Sequence, residues 1–163
     1  MILICCKIDS TIIASVIASG SAIFVAIKAS RLTNDYQKHS ITLENDRMQM
    51  ELFQGFNNRY DKLNDDLYSI LEIIDSTMWN SIKDEKIKTH YEKTIIDWFN
   101  LCAEEHYWWR KGRISNKIWE SWKIGIDKIC KNFKVQELWK KESAGDGYRS
   151  YYLTSKYELF NFK

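Results

Sequence analysis

The stretch that decides the architecture runs from Thr11 to Ile27 and reads TIIASVIASGSAIFVAI, without a charged residue. A helix of this length, rising about 1.5 Å per residue, would cover about 26 Å, close to the hydrocarbon thickness of a bilayer. A buried core helix and a cleavable signal peptide are the alternatives. A buried core helix is less common for an uncharged run near an N-terminus. A signal peptide needs a cleavage site of small residues just after the apolar run, where Lys28 and Arg31 lie. We therefore expect residues 1–28 to form one uncleaved transmembrane anchor.

The charges that flank this stretch predict its orientation. Lys28, Arg31 and Lys38 follow it, whereas Lys7 precedes it and is offset by Asp9. Because basic residues favour the cytoplasmic side, we expect the N-terminus outside and the C-terminal domain in the cytoplasm. The four cysteines form no CxxC pair and no pattern of a secreted disulfide framework, which agrees with a reducing compartment.

Small residues recur every four positions along the same stretch. They are Ala14, Ala18, Ala22 and Ala26. Small side chains at this spacing let two helix backbones approach closely in lipid, although alanine is also simply tolerated in membrane helices. We expect the stripe to mediate self-association, so the predicted partners are the lipid bilayer and further copies of the chain.

A polar segment and then a periodic one follow the anchor. Residues 29–50 lack a core-facing stripe, and we expect a helical stalk there; a flexible linker is the alternative, but the segment has no Gly or Pro. The next apolar residues are spaced as on one helix face. They are Leu52, Phe56, Tyr60, Leu63, Leu67, Ile70 and Ile74, with Met78 extending the stripe.

Three further helices are predicted by the same periodicity. The first begins near Ser81, carries Ile87, Tyr91, Ile95, Trp98 and Cys102, and ends at Gly112. The second, capped by Ser115 or Asn116, carries Ile118, Trp122, Ile126, Ile129 and Phe133. The third, which is shorter, carries Val135, Leu138 and Trp139.

The predicted fold class is all-α: one N-terminal transmembrane helix, a helical stalk, and a cytoplasmic antiparallel bundle of about four helices over residues 51–142. Residues 143–163 form a loop and an aromatic tail. The sequence of the tail is compatible with a last helix, a short strand or a segment that becomes ordered when a partner binds.

The segment CAEEHYWWR, residues 102–110, holds the densest group of reactive side chains. Cys102 and His106 would share a helix face, as two metal ligands could, but no second Cys/His pair accompanies them. The chain also lacks GxSxG and glycine-rich phosphate motifs, so we predict no catalytic residue, metal or cofactor. Instead we predict a structural network at the turn, in which an arginine binds a carboxylate. Its members are Glu104, Glu105, Arg110, Gly112 and Arg113.

The basic residues at this turn lie beside Trp108 and Trp109, a combination that can bind single-stranded nucleic acid. Residues 39–163 carry no net charge, however, whereas nucleic-acid-binding domains usually have a clustered basic excess. Nucleic acid is therefore an unlikely partner of this domain. The same basic, tryptophan-rich helix end could instead contact anionic lipid headgroups.

The block LCAEEHYWWRKGRI, residues 101–114, followed by WESWKIGI, residues 119–126, resembles a family of small uncharacterised bacterial inner-membrane proteins. The resemblance extends over roughly residues 56–153. It implies an N-terminal membrane helix, a cytoplasmic helical domain of unknown function, and no catalytic residues.

These patterns favour a membrane-tethered interaction or sensing protein without catalysis, acting with a possible protein partner encoded nearby. The alternative is a membrane-disrupting effector or toxin of a bacterial conflict or phage-defence system, in which the small-residue helix would assemble into a pore. A third hypothesis is an enzyme whose metal site is scattered over the helical bundle.

Overall fold

The computed structural model describes residues 10–160, and within them the side chains of Ser15 and of Ser19 onward. All regular structure in this range is helical, with no β-strand, which confirms the predicted all-α class. The helices are α1 (Ser10–Leu71), α2 (Ser76–Ser81), α3 (Glu85–Arg110), α4 (Asn116–Ile129) and α5 (Phe133–Glu142), followed by a short 3-10 helix (Gly147–Tyr151).

The chain divides into two units, Met1–Asp46 and Arg47–Lys163. In the first unit every described side chain is exposed, including Phe24 at 61%. Among the described residues, no helix combines the length and the apolar character that crossing a bilayer requires. Much of the predicted anchor falls outside that description, namely residues 1–9 and the side chains of residues 10–14 and 16–18. The transmembrane anchor therefore stays a prediction.

In the second unit, two ion pairs define the direction of α3 relative to the C-terminal part of α1. Arg59 pairs with Glu104, and further along α1 Asp66 pairs with His90 at 2.8 Å. Because the residue number in α3 falls as that in α1 rises, the two helices are antiparallel. This is the packing expected of a bundle with short connections.

The connection between α3 and α4 is a tight turn at Gly112. Its φ of 67° is a left-handed conformation that glycine adopts without a Cβ clash. The Gly112 N–H donates to the Trp109 carbonyl at 2.8 Å, and the Arg113 N–H donates to the Trp108 carbonyl at 3.0 Å. These two bonds define a Schellman C-cap, and the Ser115 side chain then caps α4. The predicted boundaries of both helices at this turn are confirmed.

The core of the second unit surrounds α3. Ile95, Trp98 and Phe99 are at most 1% exposed. The other helices contribute buried side chains from the predicted stripes: Phe56, Leu67 and Ile70 of α1, Ile126 and Ile129 of α4, and Val135, Leu138 and Trp139 of α5. Apolar burial of these helix faces is the main stabilising term for such a bundle.

Two predicted stripes end earlier than expected. Ile74 and Met78 are 72% and 42% exposed, because α1 ends at Leu71 and the chain turns so that Ile73 is buried instead. The helix predicted to continue to Phe133 also stops earlier, at Ile129. There the Asn132 side chain caps a separate helix, α5, by accepting from two N–H groups of its first turn.

The aromatic C-terminal segment packs into the core. Leu153, Leu159 and Phe160 are 4%, 1% and 0% exposed. The Phe160 ring centroid lies 4.5 Å from that of Trp139 and 5.2 Å from that of Phe99. Up to residue 160, the segment is neither a last α-helix nor a strand; it is a short 3-10 helix followed by turns. It belongs to the same core as the bundle.

Candidate functional site

Near the C-terminal end of α3, Cys102 and His106 are both core residues. They are 1% and 5% exposed. The His106 ring packs against the stacked rings of Trp109 and Trp119, at centroid distances of 5.6 and 5.3 Å, and burial lowers the pKa of its imidazole. Among the described residues, no group of three or more His, Cys, Asp or Glu side chains is placed to hold a metal ion.

Two members of the predicted turn network, Glu104 and Arg110, belong to two separate ion pairs. Glu104 binds Arg59 of α1 through two bonds of 2.6 and 3.0 Å, which is bidentate geometry. Arg110 binds Glu158 at 2.5 Å, and the other oxygen of Glu158 accepts from the N–H and hydroxyl of Thr154. The prediction paired Glu104 or Glu105 with Arg110 or Arg113, whereas the partner of Glu104 is Arg59 and that of Arg110 is Glu158.

Each of these ion pairs joins two distant parts of the second unit. The pair of Arg59 and Glu104 holds α1 against α3, and the pair of Arg110 and Glu158 ties the aromatic tail to the end of α3. Gly112 forms the turn itself, and Arg113 follows it with its N–H in the Schellman cap.

Glu105, the remaining member of that predicted network, faces a cavity between α1, α3 and α4. The cavity has a volume of about 250 Å³. Residues that line it include Asn57 and Tyr60 of α1, Trp98 and Glu105 of α3, and Ser121 and Trp122 of α4. The lining thus combines aromatic surface with a few polar groups, as ligand pockets commonly do.

Burial controls the ionisation of the groups around this cavity. Glu105 is 6% exposed, and burial raises the pKa of its carboxyl to about 8, while the guanidinium of Arg59 opposes that rise and Glu104 adds to it. Burial also raises the pKa of the Tyr60 hydroxyl and, more strongly, that of the Cys102 thiol. Near neutral pH, Glu105 is the group of this lining that changes charge.

This arrangement suits binding better than nucleophilic chemistry. A thiol whose pKa is raised by burial is a poor nucleophile, and Cys102 is such a thiol. A buried carboxyl with a pKa near 8 can donate a hydrogen bond in its neutral form or serve as a counter-ion when ionised. The cavity therefore offers one switchable polar group within an apolar surface.

Three residues important to this site were not identified from the sequence as site residues. Tyr60 and Trp122 lie on predicted core stripes, so their spacing indicated burial but not a cavity. Arg59 was not singled out, because its partner Glu104 lies in another helix. One signal was available: Ser121 and Gly125 place two small residues one turn apart on α4, and both line the cavity.

The predicted self-association stripe lies in the first unit. Ala22 and Ala26 are exposed on α1, whereas the side chains of Ala14 and Ala18 lie outside the described residues. The stripe and the cavity are described separately, since they belong to different units.

Comparisons of the chain with family models, with curated proteins and with solved structures found no match in any of the three. The resemblance to small bacterial inner-membrane proteins accordingly stays a prediction.

Proposed function

We propose that the chain is a membrane-tethered sensing or interaction protein, with its N-terminal helix in the bacterial inner membrane and its helical domain in the cytoplasm. The observation that carries the proposal is the extent of α1, which runs from Ser10 to Leu71. One end of this helix bears the uncharged apolar stretch, and the other bears the core residues Phe56 and Leu67. The proposed tether and part of the buried core would thus belong to one helix.

Exposed apolar side chains near the start of α1 support the tether. Ile23, Phe24 and Val25 are all more than 60% exposed. Three consecutive exposed apolar residues are costly in water and favourable in lipid. Lys28 and Arg31 follow at once, which favours a cytoplasmic position for the domain.

The cavity beside Glu105 supports the sensing role, because it offers a place for a small ligand without a reactive nucleophile or a metal cluster among the described residues. The proposed role is non-enzymatic. Self-association through the small-residue stripe, and a co-encoded protein partner, would transmit the bound state.

The membrane tether is tested by expressing the full chain in a bacterium and washing the membranes with alkaline carbonate. We expect the chain to remain in the pellet, because an integral helix resists this treatment whereas a peripheral protein is released. Recovery of the chain in the supernatant would refute the tether and, with it, the proposed role.

Self-association is tested in the same membranes by chemical cross-linking of two variants. Ala22→Leu should reduce the cross-linked dimer, because a larger side chain separates the helix backbones. Phe24→Leu is the matched control, since Phe24 lies about 200° around the helix from Ala22. Equal cross-linking of both variants would reject the stripe. Growth arrest with loss of membrane potential on overexpression would favour the membrane-disrupting effector instead.

A further inference from the structure

The lining of the cavity between α1, α3 and α4 can be neutral or negatively charged, but it has no group in the described part of the chain that becomes positively charged. Of the described residues that line it, Glu105 is the one with a carboxyl, and none carries a basic side chain. Tyr60 and Cys102, the other titratable groups of the lining, have pKa values raised by burial, so both are neutral near pH 7. An anionic ligand would find no basic group in this lining to pair with.

Aromatic rings surround the acidic group. Tyr60, Trp98 and Trp122 all line the cavity. The position of Trp122 is fixed by α1, because its ring stacks on Phe53 and meets Phe56 edge-on, each at 5.8 Å between centroids. Aromatic faces attract cations and pack well against hydrocarbon. The surface is therefore suited to a ligand with a positive group and a short apolar part.

Charged groups near the cavity are already paired. Arg59 of α1 is bound in bidentate fashion to Glu104 of α3, so the guanidinium that lowers the pKa of Glu105 has Glu104 as its ion-pair partner. On α4, Lys123 pairs with Asp127. An ionised Glu105 would thus be buried without an ion-pair partner of its own, and burial is the main cause of its raised pKa.

We propose that this cavity binds a small protonated amine, with the Glu105 carboxylate as its counter-ion and the rings of Tyr60, Trp98 and Trp122 around its apolar part. This inference rests on the proposed sensing function and names the ligand class that would be sensed. The volume of about 250 Å³ lies near the lower end of ligand pockets, which limits the amine to a small one. Asn57 and Ser121, also in the lining, can accept hydrogen bonds from further ammonium protons.

Binding would be coupled to proton release. At pH 7 the Glu105 carboxyl is mostly protonated, since its pKa is about 8. When R–NH3+ enters, the carboxyl O–H proton leaves to the buffer, and the carboxylate forms an ion pair with the ammonium, so charge and atoms balance. Close to one proton is therefore released per bound amine near pH 7, and the apparent affinity rises between pH 6 and 8.

Isothermal titration calorimetry of the full chain in detergent micelles tests this proposal. The probes are benzylamine and n-butylamine, each with its neutral counterpart, benzyl alcohol or n-butanol. We expect at least one amine to bind about tenfold or more tightly than its alcohol, because only the cation can pair with Glu105. Repeating the titration in buffers of different ionisation enthalpy should reveal the released proton.

Two variants test whether the amine preference depends on the Glu105 carboxylate. Glu105→Gln keeps the shape of the neutral acid, so it should fold, and it should abolish both the amine preference and the proton release. Glu120→Gln on the exposed side of α4 is the matched control and should change neither. Amines that bind no better than alcohols, or a preference that survives in Glu105→Gln, would overturn the proposal. Failure here with the chain still in the carbonate-washed pellet refutes only the amine site, whereas amine binding by a carbonate-soluble chain refutes only the tether.

Discussion

Asn132 joins the end of α1 to the start of α5, and its replacement by alanine should destabilise the second unit strongly. Its amide nitrogen donates to the carbonyls of Ile70 and Ile73, at 3.1 and 2.9 Å, and its amide oxygen accepts from the N–H groups of Lys134 and Val135. The side chain is 8% exposed, so water does not readily replace these partners. Four backbone groups at two helix ends depend on one side chain.

The magnitude follows from these bonds. Loss of an N-cap costs about 1 kcal/mol, and each buried hydrogen bond lost to a carbonyl costs about 1 kcal/mol more. We therefore expect Asn132→Ala to lower the free energy of unfolding by about 3 kcal/mol. Asn132→Ser should recover about 1 kcal/mol of this loss, because a serine oxygen can cap α5 but cannot reach the α1 carbonyls.

Urea unfolding of the full chain in mild detergent, followed by tryptophan fluorescence, measures these differences. Ser115→Ala is the matched control, because Ser115 caps α4 through a single bond and has no second role in this contact. If Asn132→Ala costs no more than Ser115→Ala, then the two bonds to the carbonyls of Ile70 and Ile73 contribute nothing and the account of this junction is wrong.

Two further predictions concern Glu105 and Gly147. Because the pKa of Glu105 is raised from 4.5 to about 8 in the folded chain, its contribution to stability is complete below pH 4.5 and is lost as pH rises to 8. The free energy of unfolding of Glu105→Gln should therefore decline less over this pH range than that of the unmodified chain. An unchanged decline would contradict the raised pKa. A Cβ at Gly147 would collide with the carbonyl oxygen of Glu142, so Gly147→Ala should cost about 2 kcal/mol or more. By contrast, Gly55→Ala, in open space within α1, should stabilise by about 0.5–1 kcal/mol in the same assay; equal effects would contradict the close approach.

Helical periodicity was sufficient to predict which faces of α3 and α5 are buried. Ile95, Trp98 and Leu138 follow helix spacing and lie in the core, because one face of each helix packs against the bundle. The turn at Gly112 was equally predictable, since a left-handed cap is a local property of the backbone and of one glycine. In both cases the residues close by in the sequence were sufficient for the prediction.

Periodicity failed where a helix ends without glycine or proline. The spacing of Ile74 and Met78 continues the α1 stripe, but the helix stops at Leu71. The side chain of Asn132 binds the carbonyl of Ile70, in the last turn of α1, and that of Ile73, just beyond it. That residue lies about 60 positions away in the sequence. A helix end set by a distant side chain leaves no signal in the neighbouring residues.

The candidate site was predictable only in part. Glu105 could be singled out from the sequence, but its partners could not, because the rotation of α3 about its axis decides which acid faces the cavity and which faces Arg59. One position separates Glu104 from Glu105, yet the first forms an ion pair and the second is buried. The cavity itself depends on how three helices pack together, and the apolar stripe of a single helix does not predict that packing.

The burial of Phe160 has a consequence for biosynthesis. Its ring packs against Trp98, Phe99 and Trp139, so these side chains lack a neighbour until the ribosome has added residue 160. Chains are made from the N-terminus, and partly folded intermediates with uncovered aromatic surface are prone to aggregation. The nascent helices remain solvent-exposed or shielded by a chaperone until Phe160 has been added, and only then can they assume their final packing.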